Sequence, residues 1–391
     1  MPAPEFYDQA LLDRFRPQLR YDCQYDYRAA PVETAFAPEG NVLRRRDGDV
    51  VARAGDEPPL ELALLSGRSY ANGLPHEATD CLSQAPDHSG DARAMEGDPR
   101  YRPSVYGRCV EDGGRLWLQY WFWFYYNPKN LFGFGRHEGD WEMIQLGLGR
   151  DNEPDVATYA QHNSGEARGC RDGGVTFEPL DGGRHPVVFV APLSHASYFE
   201  DDAHPYLLGV DHPYGDGPRA VPPVAPFGDW SDWPGRWGDN ESMFLGRLRA
   251  GPQSPGCQNP KWAWPAKWHD EMSRRRPRVL LGRAVHLIGH LTFPPKPEIT
   301  ATREGGGGSV RVRYRLSGAG IRAARHLYLT VHDGERVLES RRVRDAGREG
   351  EEVLLIPADP DEVTVYASAF NRLRQRSDLT GPVAAEPVGG A

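Results

Sequence analysis

Lysine is almost missing from this chain: of its 46 basic residues only Lys129, Lys261, Lys267 and Lys296 are lysine. A GC-rich bacterial genome produces such a bias, so a bacterial origin is the expectation. Long apolar runs are missing too. None approaches the roughly 18 to 20 residues that span a bilayer, and the opening MPAPEFYDQALLDRF has no basic stretch leading into an apolar one, as a secretory signal would. These gaps predict no transmembrane segment and a cytoplasmic location. Cysteine is scarce: Cys23, Cys81, Cys109, Cys170 and Cys257 are odd in number and well separated, which argues against a disulfide framework and a CxxC zinc site. Surplus positive charge is absent as well. At a net charge of −9 the chain lacks the basic face that phosphate neutralisation needs, so nucleic acid is not an expected partner. No G-x-S-x-G elbow occurs, and the glycine run at 305–308 leads into no lysine-bearing helix, which counts against a serine-hydrolase nucleophile and a phosphate loop.

What is present is globular. With 391 residues, 39% hydrophobic and 26% charged, about two domains are expected. Pro294, Pro295, Lys296 and Pro297 make a stiff extended connector, because proline fixes φ and steers its predecessor away from helix. The boundary is placed there: residues 1–295 as a large β domain, 296–375 as an accessory β-sandwich and 376–391 as a flexible tail. Beyond the connector, Val310, Val312, Tyr314 and Leu316 alternate with Arg311, Arg313 and Arg315, a period of two with one polar face. Asp333-Gly334 marks a hairpin, and EEVLLIP and EVTVYASAF supply further strands. Even strand and turn spacing over about 80 residues predicts a small sandwich of immunoglobulin or fibronectin III kind.

All ten tryptophans lie between Trp117 and Trp268, so the chemistry is expected in the first domain. There, VLRRRDGDVVAR at 42–53 predicts a hairpin with a solvated arginine face, and 83–100 reads as a polar loop without period. LWLQYWFWFYY at 116–126 reads as a central strand buried on both faces, with Trp121, Trp123 and Tyr125 on one side and Phe122, Phe124 and Tyr126 on the other. The proline- and glycine-rich stretch after Pro205, carrying Trp230, Trp233 and Trp237, reads as an ordered lid. Only PEFYDQALLDRF and WPAKWHDEMSRRR look helical. The fold class is therefore mainly β: a large β-sandwich-like domain with long Trp/Pro-rich loops and few short helices, plus the small C-terminal sandwich.

The densest set of potential ligands is GRHEGDWEMIQLGLG, beginning at Gly135. If Asp140 opens a strand, Asp140 and Glu142 share a face that Ile144 and Leu146 continue into the core. His137 and Glu138, in the preceding turn, could fold back to meet them. Carboxylates plus imidazole can hold a divalent cation, Mg, Mn, Ca or Zn, while leaving water positions open. Without metal the same set could do general acid and base work. A purely structural reading of these residues is a hydrogen-bonded turn that closes a strand end. Two further strand ends could converge here: Val187 to Ala191 is followed by Ser194 and His195, and Val156 to Ala160 by His162. The expected metal ligands are His137, Asp140, Glu142 and His162, with Glu138, Glu142 and His195 as catalytic groups. Trp121, Trp123, Tyr125, Trp141 and Ser194 are expected to wall a substrate pocket.

Taken together, LQYWFWFYYN at 118–127, GRHEGDWEMIQL at 135–146, HPVVFVAPLSHASYF at 185–199, and Trp237, Gly238, Ser254, Pro255, Gly256, Lys261 and Trp262 resemble the vacuolar protein sorting 62-related family over about residues 10 to 295. The HEGDWE stretch is also similar to the GHRHDWE heptapeptide of the necrosis-inducing protein family, a β-sandwich group. That resemblance implies a divalent cation near a lipid-glycan surface, with Asp140 and Glu142 as metal-associated carboxylates; Gly139 stands where the motif has histidine. The expected function is a divalent-metal-binding protein, acting as a metal-assisted hydrolase or lyase on a small apolar or glycosylated molecule. The alternatives are a non-catalytic module for a lipid headgroup or glycan, and a structural scaffold.

Overall fold

The computed structural model describes residues 5–22, 27–45, 48–56, 59–84, 88–96, 98–128, 137–161, 164–171, 173–192, 194–202, 204–206, 209–211, 213–239, 251–274, 294–304, 308–333, 336–356, 363–371, 377 and 380–387. The chain is mainly β and divides into two compact units, Met1–His204 with Asp211–Pro277, and Pro205–Val210 with Arg278–Ala391. No helix among the described residues is long and apolar enough to cross a membrane.

In the first unit, helix α1 (Gln9–Arg14) is capped by Asp8, whose carboxylate accepts from the Leu11 N–H at 3.0 Å. It leads into β1 (Gln18–Tyr21). The main sheet is a meander of β2 (Val105–Asp112), β3 (Arg115–Asn127), β4 (His137–Leu148), β5 (Pro154–Gln161) and β6 (Ser164–Gly169), each antiparallel to the next. A second sheet pairs β7 (Phe177–Leu180) with β8 (Gly183–Val190), and β8 runs parallel to β1. Between the sheets lies a core of Leu19, Tyr21, Val188 and Val190 against Leu118, Tyr120, Phe122, Phe124, Ile144 and Leu146.

The opposite face of the main sheet is covered as well. Trp121, Trp123, Trp141 and Met143 pack there with Trp230, Trp233, Trp237 and Trp268. This explains why β3 reads as unbroken bulk: alternate side chains fill two different cores, so neither face needs polarity. The alternation expected for Trp121 and Trp123 against Phe122 and Phe124 holds. Tyr125 and Tyr126 part from it, both joining Tyr27 and Met95 in a small separate cluster.

Two expectations for this unit are corrected. The supposed loop at 83–100 contains helix α2 (His88–Glu96). Its apolar content is little more than Ala92, Ala94 and Met95, too little for a sequence period, and packing of Met95 and Ala92 onto the tyrosine cluster holds it instead. The supposed lid contributes core: Trp233 and Trp237 are 0% exposed and serve as a wall of the sheet. Residues 240–250 of that stretch lie outside the described residues. The hairpin at Val42–Arg44 and Val50–Arg53 forms, with Arg46 and Asp47 outside the described residues. WPAKWHDEMSRRR supplies helix α3 (Pro265–Arg274).

The second unit packs two four-stranded sheets on one core. One has the order β13 (Glu349–Leu355), β10 (Ser309–Arg315), β9 (Glu298–Arg303), β16 (Glu386–Pro387). The other has the order β12 (Arg336–Val343), β11 (Ala324–Asp333), β14 (Thr364–Asn371), β15 (Thr380–Ala384). Val310, Val312 and Tyr314 point inward while the arginines between them pair with Glu304, Glu349 and Glu351 across the outer face. The stretch 380–387, read as flexible tail, instead supplies one edge strand to each sheet. Backbone pairing needs no apolar period, which is why its sequence concealed it.

Candidate functional site

Strand β4 begins earlier than the motif suggested. His137 and Glu138 belong to the strand rather than a turn before it, opposite Asn127 and Tyr126 of β3. The bend sits inside the strand at Gly139, with φ +61°. A Cβ there would strike the Trp237 carbonyl and the Trp123 ring, and a Cβ on Gly238 would strike the Glu138 backbone. Two backbones therefore cross at van der Waals contact, a fit that only a glycine pair allows. The Glu138 N–H donates to the Asp239 carbonyl at 3.0 Å, locking the crossing.

Past this bend Asp140 lies opposite Phe124, and Glu142 opposite Phe122. Both carboxylates thus share the face that Ile144 and Leu146 carry into the inter-sheet core, about 6.8 Å apart along the strand by geometry. The expected pairing of Asp140 with Glu142 on one face is what the register gives. Both are buried.

His195 meets Asp140 from the second sheet. Strand β8 ends at Val190, and the chain turns back through a short loop in which the Ala191 N–H donates to the Ala196 carbonyl at 2.9 Å and the His195 N–H to the Ala191 carbonyl at 3.1 Å. His195 adopts φ +55°, a left-handed conformation that side chains other than glycine seldom take. Its ring is 3% exposed, lies flat on Phe124 at 4.1 Å between centroids and 4° between planes, and sets Nδ1 at 2.9 Å from Asp140 Oδ2. A carboxylate oxygen accepts, so the imidazole donates through Nδ1. An imidazole fixed in plane by a carboxylate is suited to moving a proton.

His137 is differently placed. Its Nδ1 sits 2.6 Å from the Gly139 carbonyl, and Asn127 Nδ2 donates to its Nε2 at 3.2 Å. With both nitrogens engaged, His137 orients Asn127 rather than offering a ligand. Glu138 also departs from its expected role. Its Oε2 accepts the Gln84 N–H at 2.8 Å and the Asp239 N–H at 2.9 Å, tying together three chain segments. Burial pushes its carboxyl up to about 7, against the opposing pull of those two donors and of His88. Nothing in this arrangement brings Glu138 to a reacting group.

The structure does not assemble the expected pocket wall. Trp121, Trp123 and Trp141 lie on the far face of the sheet from Asp140 and Glu142; Trp123 and Trp141 are 5.2 Å apart between centroids, and Trp141 and Trp230 stack at 5.8 Å. The same period of two that brings the carboxylates together sends these indoles the other way. Tyr125 packs in the tyrosine cluster and directs its hydroxyl to Asp91 at 3.4 Å. Ser194 donates to Asp211 at 2.9 Å. His162 lies outside the described residues.

Among the described residues no three His, Cys, Asp or Glu side chains converge as a complete metal cage. Asp140 and Glu142 still offer hard oxygen donors on one face. Such a set suits Mg²⁺ or Ca²⁺, which bind through one or two carboxylates with water and ligand oxygens completing the shell, better than Zn²⁺ in a closed cage. Several neighbours escaped the sequence reading: Asn127, whose side chain lies 3.5 Å from Asp140; Tyr27, whose ring edge meets His195 at 6.5 Å; His88, stacked on Tyr126 at 4.0 Å; and Asp211. Asn127 directly follows the aromatic run, which placed it at the strand end beside the motif. The others lie in segments without period and carry no local signal.

No protein-family model and no curated protein matches this chain. Among solved structures, it is similar to one described as NLPPya in complex with glucosamine, at 18% identity over 59% of this chain and 82% of that one, with a TM-score of 0.30. A structure described as a toxin fold for microbial attack and plant defense is similar at 16% identity over 58% of this chain and 78% of that one, with a TM-score of 0.31. Overlaps this loose assign neither family nor activity, and the chain stands as a β-sandwich-like protein with a buried carboxylate–histidine corner.

Proposed function

We propose that the first unit binds a small glycosylated or apolar molecule where His195 meets β4, and that Asp140 and Glu142 are the residues that would hold a hard divalent cation there. The observation that carries this is the Asp140–His195 contact: a buried imidazole is held in a left-handed backbone conformation, flat on Phe124, with Nδ1 against the Asp140 carboxylate. Strained backbone of this kind persists where surrounding structure imposes it, often at functional sites. If the ligand is turned over, the reaction is hydrolysis or elimination. A divalent cation held by Asp140 and Glu142 would supply polarisation of a ligand oxygen, and the His195 imidazole, steadied by Asp140, would take the proton from water or substrate. If it is not, the same groups make a recognition site.

Mn²⁺ binding to the full chain, followed by its electron paramagnetic resonance, tests this reading. Near-stoichiometric binding that falls at least about tenfold in Asp140→Asn and Glu142→Gln supports the site. Absence of binding to the wild type, or equal binding by both variants, overturns it. A panel of simple glycosides and esters then separates turnover from recognition.

A further inference from the structure

The geometry points to Asp211 as a positioning residue that holds the His195 loop in its working conformation, a role that rests on the reading of His195 given above. Asp211 is 4% exposed. Its Oδ2 accepts the Ser194 hydroxyl at 2.9 Å and the Tyr198 hydroxyl at 2.9 Å. These donors bracket His195 in sequence, one just before it and one three residues after. The backbone bonds from Ala191 and His195 close the base of the loop, and the Asp211 carboxylate, 17 and 13 residues further along the chain, ties both of its flanks together.

The loop needs such a tie because its central residue sits at φ +55°, where an L side chain is strained and would relax if free. Relaxation would carry the imidazole away from Phe124 and Asp140, the two contacts that fix its plane and its tautomer. A carboxylate suits this task better than a neutral acceptor: hydroxyl bonds to an ionised oxygen are shorter and stronger, and one oxygen can take both. A buried carboxylate is costly unless it is fully hydrogen-bonded. Its burial beside a strained histidine loop therefore calls for a role that the packing of Val187, Phe189 and Tyr198 does not supply.

The test uses the cation-free full chain with ring-labelled histidine and the variants Tyr198→Phe, Ser194→Ala and the two combined, which remove only the hydroxyl donors. His195 resonances are assigned by their loss in His195→Gln. In the wild type the His195 ring protons are shifted upfield by the face of Phe124, and Nδ1 reports as the protonated nitrogen. The combined variant is expected to lose most of that upfield shift and mix the tautomers, with Mn²⁺ affinity falling about tenfold. Tyr198→Phe alone gives an intermediate shift and serves if the combined variant does not fold. Unchanged His195 resonances alongside a lowered melting temperature would overturn the positioning role, since a merely structural tie moves only the melt. Displaced His195 resonances in a protein whose wild type binds no Mn²⁺ would uphold the positioning role and refute the cation site separately.

Discussion

Glu138 shows how a residue of the right type in the right motif can serve a different end. Sequence places it beside two carboxylates and a histidine, the setting of a general acid, but its Oε2 instead receives two backbone N–H groups from separate segments. Burial raises its carboxyl from 4.5 to about 7, so the sign of its pH dependence is fixed. Below about pH 4.5 the group is protonated in both folded and unfolded chains; between there and pH 7 the unfolded chain ionises first, and stability is lost as pH rises. Glu138→Gln keeps an acceptor for both N–H groups and removes the buried charge. Its stability relative to wild type is expected to improve by up to about 3 kcal/mol between pH 4.5 and 8, measured by urea unfolding at each pH. A gain that shrinks with rising pH would sink this account. Glu138→Ala, which abandons both donors, is expected to cost about 2–4 kcal/mol. Glu138 and His137 thus have the structural role of hydrogen-bonding a strand end, from within β4 rather than from a turn before it, whereas Asp140 and His195 make the contact that invites chemistry.

At the scale of elements, the aromatic run and the motif strand were legible because both obey a period of two. Two cores on opposite faces make every position of β3 apolar, and the register sends Asp140 and Glu142 one way and Trp141 and Met143 the other. The crossing at Gly139 and Gly238 was not legible, since it depends on a contact between segments about a hundred residues apart. It makes a sharp prediction. Gly139→Ala meets both a left-handed φ and two occupied neighbours, and is expected to destabilise by more than about 2 kcal/mol. Gly169→Ala, with open space at the Cβ position, is expected to be neutral or stabilising by less than about 1 kcal/mol. Thermal melts of the pair check this, and a tolerated Gly139→Ala would show that the crossing can relax. Helix α2 was missed for a related reason: its stability comes from the tyrosines it covers, not from its own pattern.

For the whole molecule, sequestered thiols give a gauge of cooperativity. Cys109 and Cys170 are buried, and burial raises their thiols to about 11 and about 12. The thiolate is the reacting species, so alkylation of Cys109 and Cys170 at pH 8 is expected to be negligible in the folded protein and to rise with urea in step with unfolding of the first unit. Mass mapping of labelled peptides reads this directly, and rapid labelling of either cysteine in native protein would contradict it. Composition and periodicity sufficed to establish a mainly β chain, the paired carboxylates on one strand face and the sandwich after the proline connector, because burial of alternate side chains is written locally. Tertiary structure alone decided that His195 reaches Asp140, that His137 and Glu138 are braces, and that the tryptophans form a core wall rather than a pocket. Those outcomes depend on which distant segments meet, and no local period encodes a meeting between strands from two sheets.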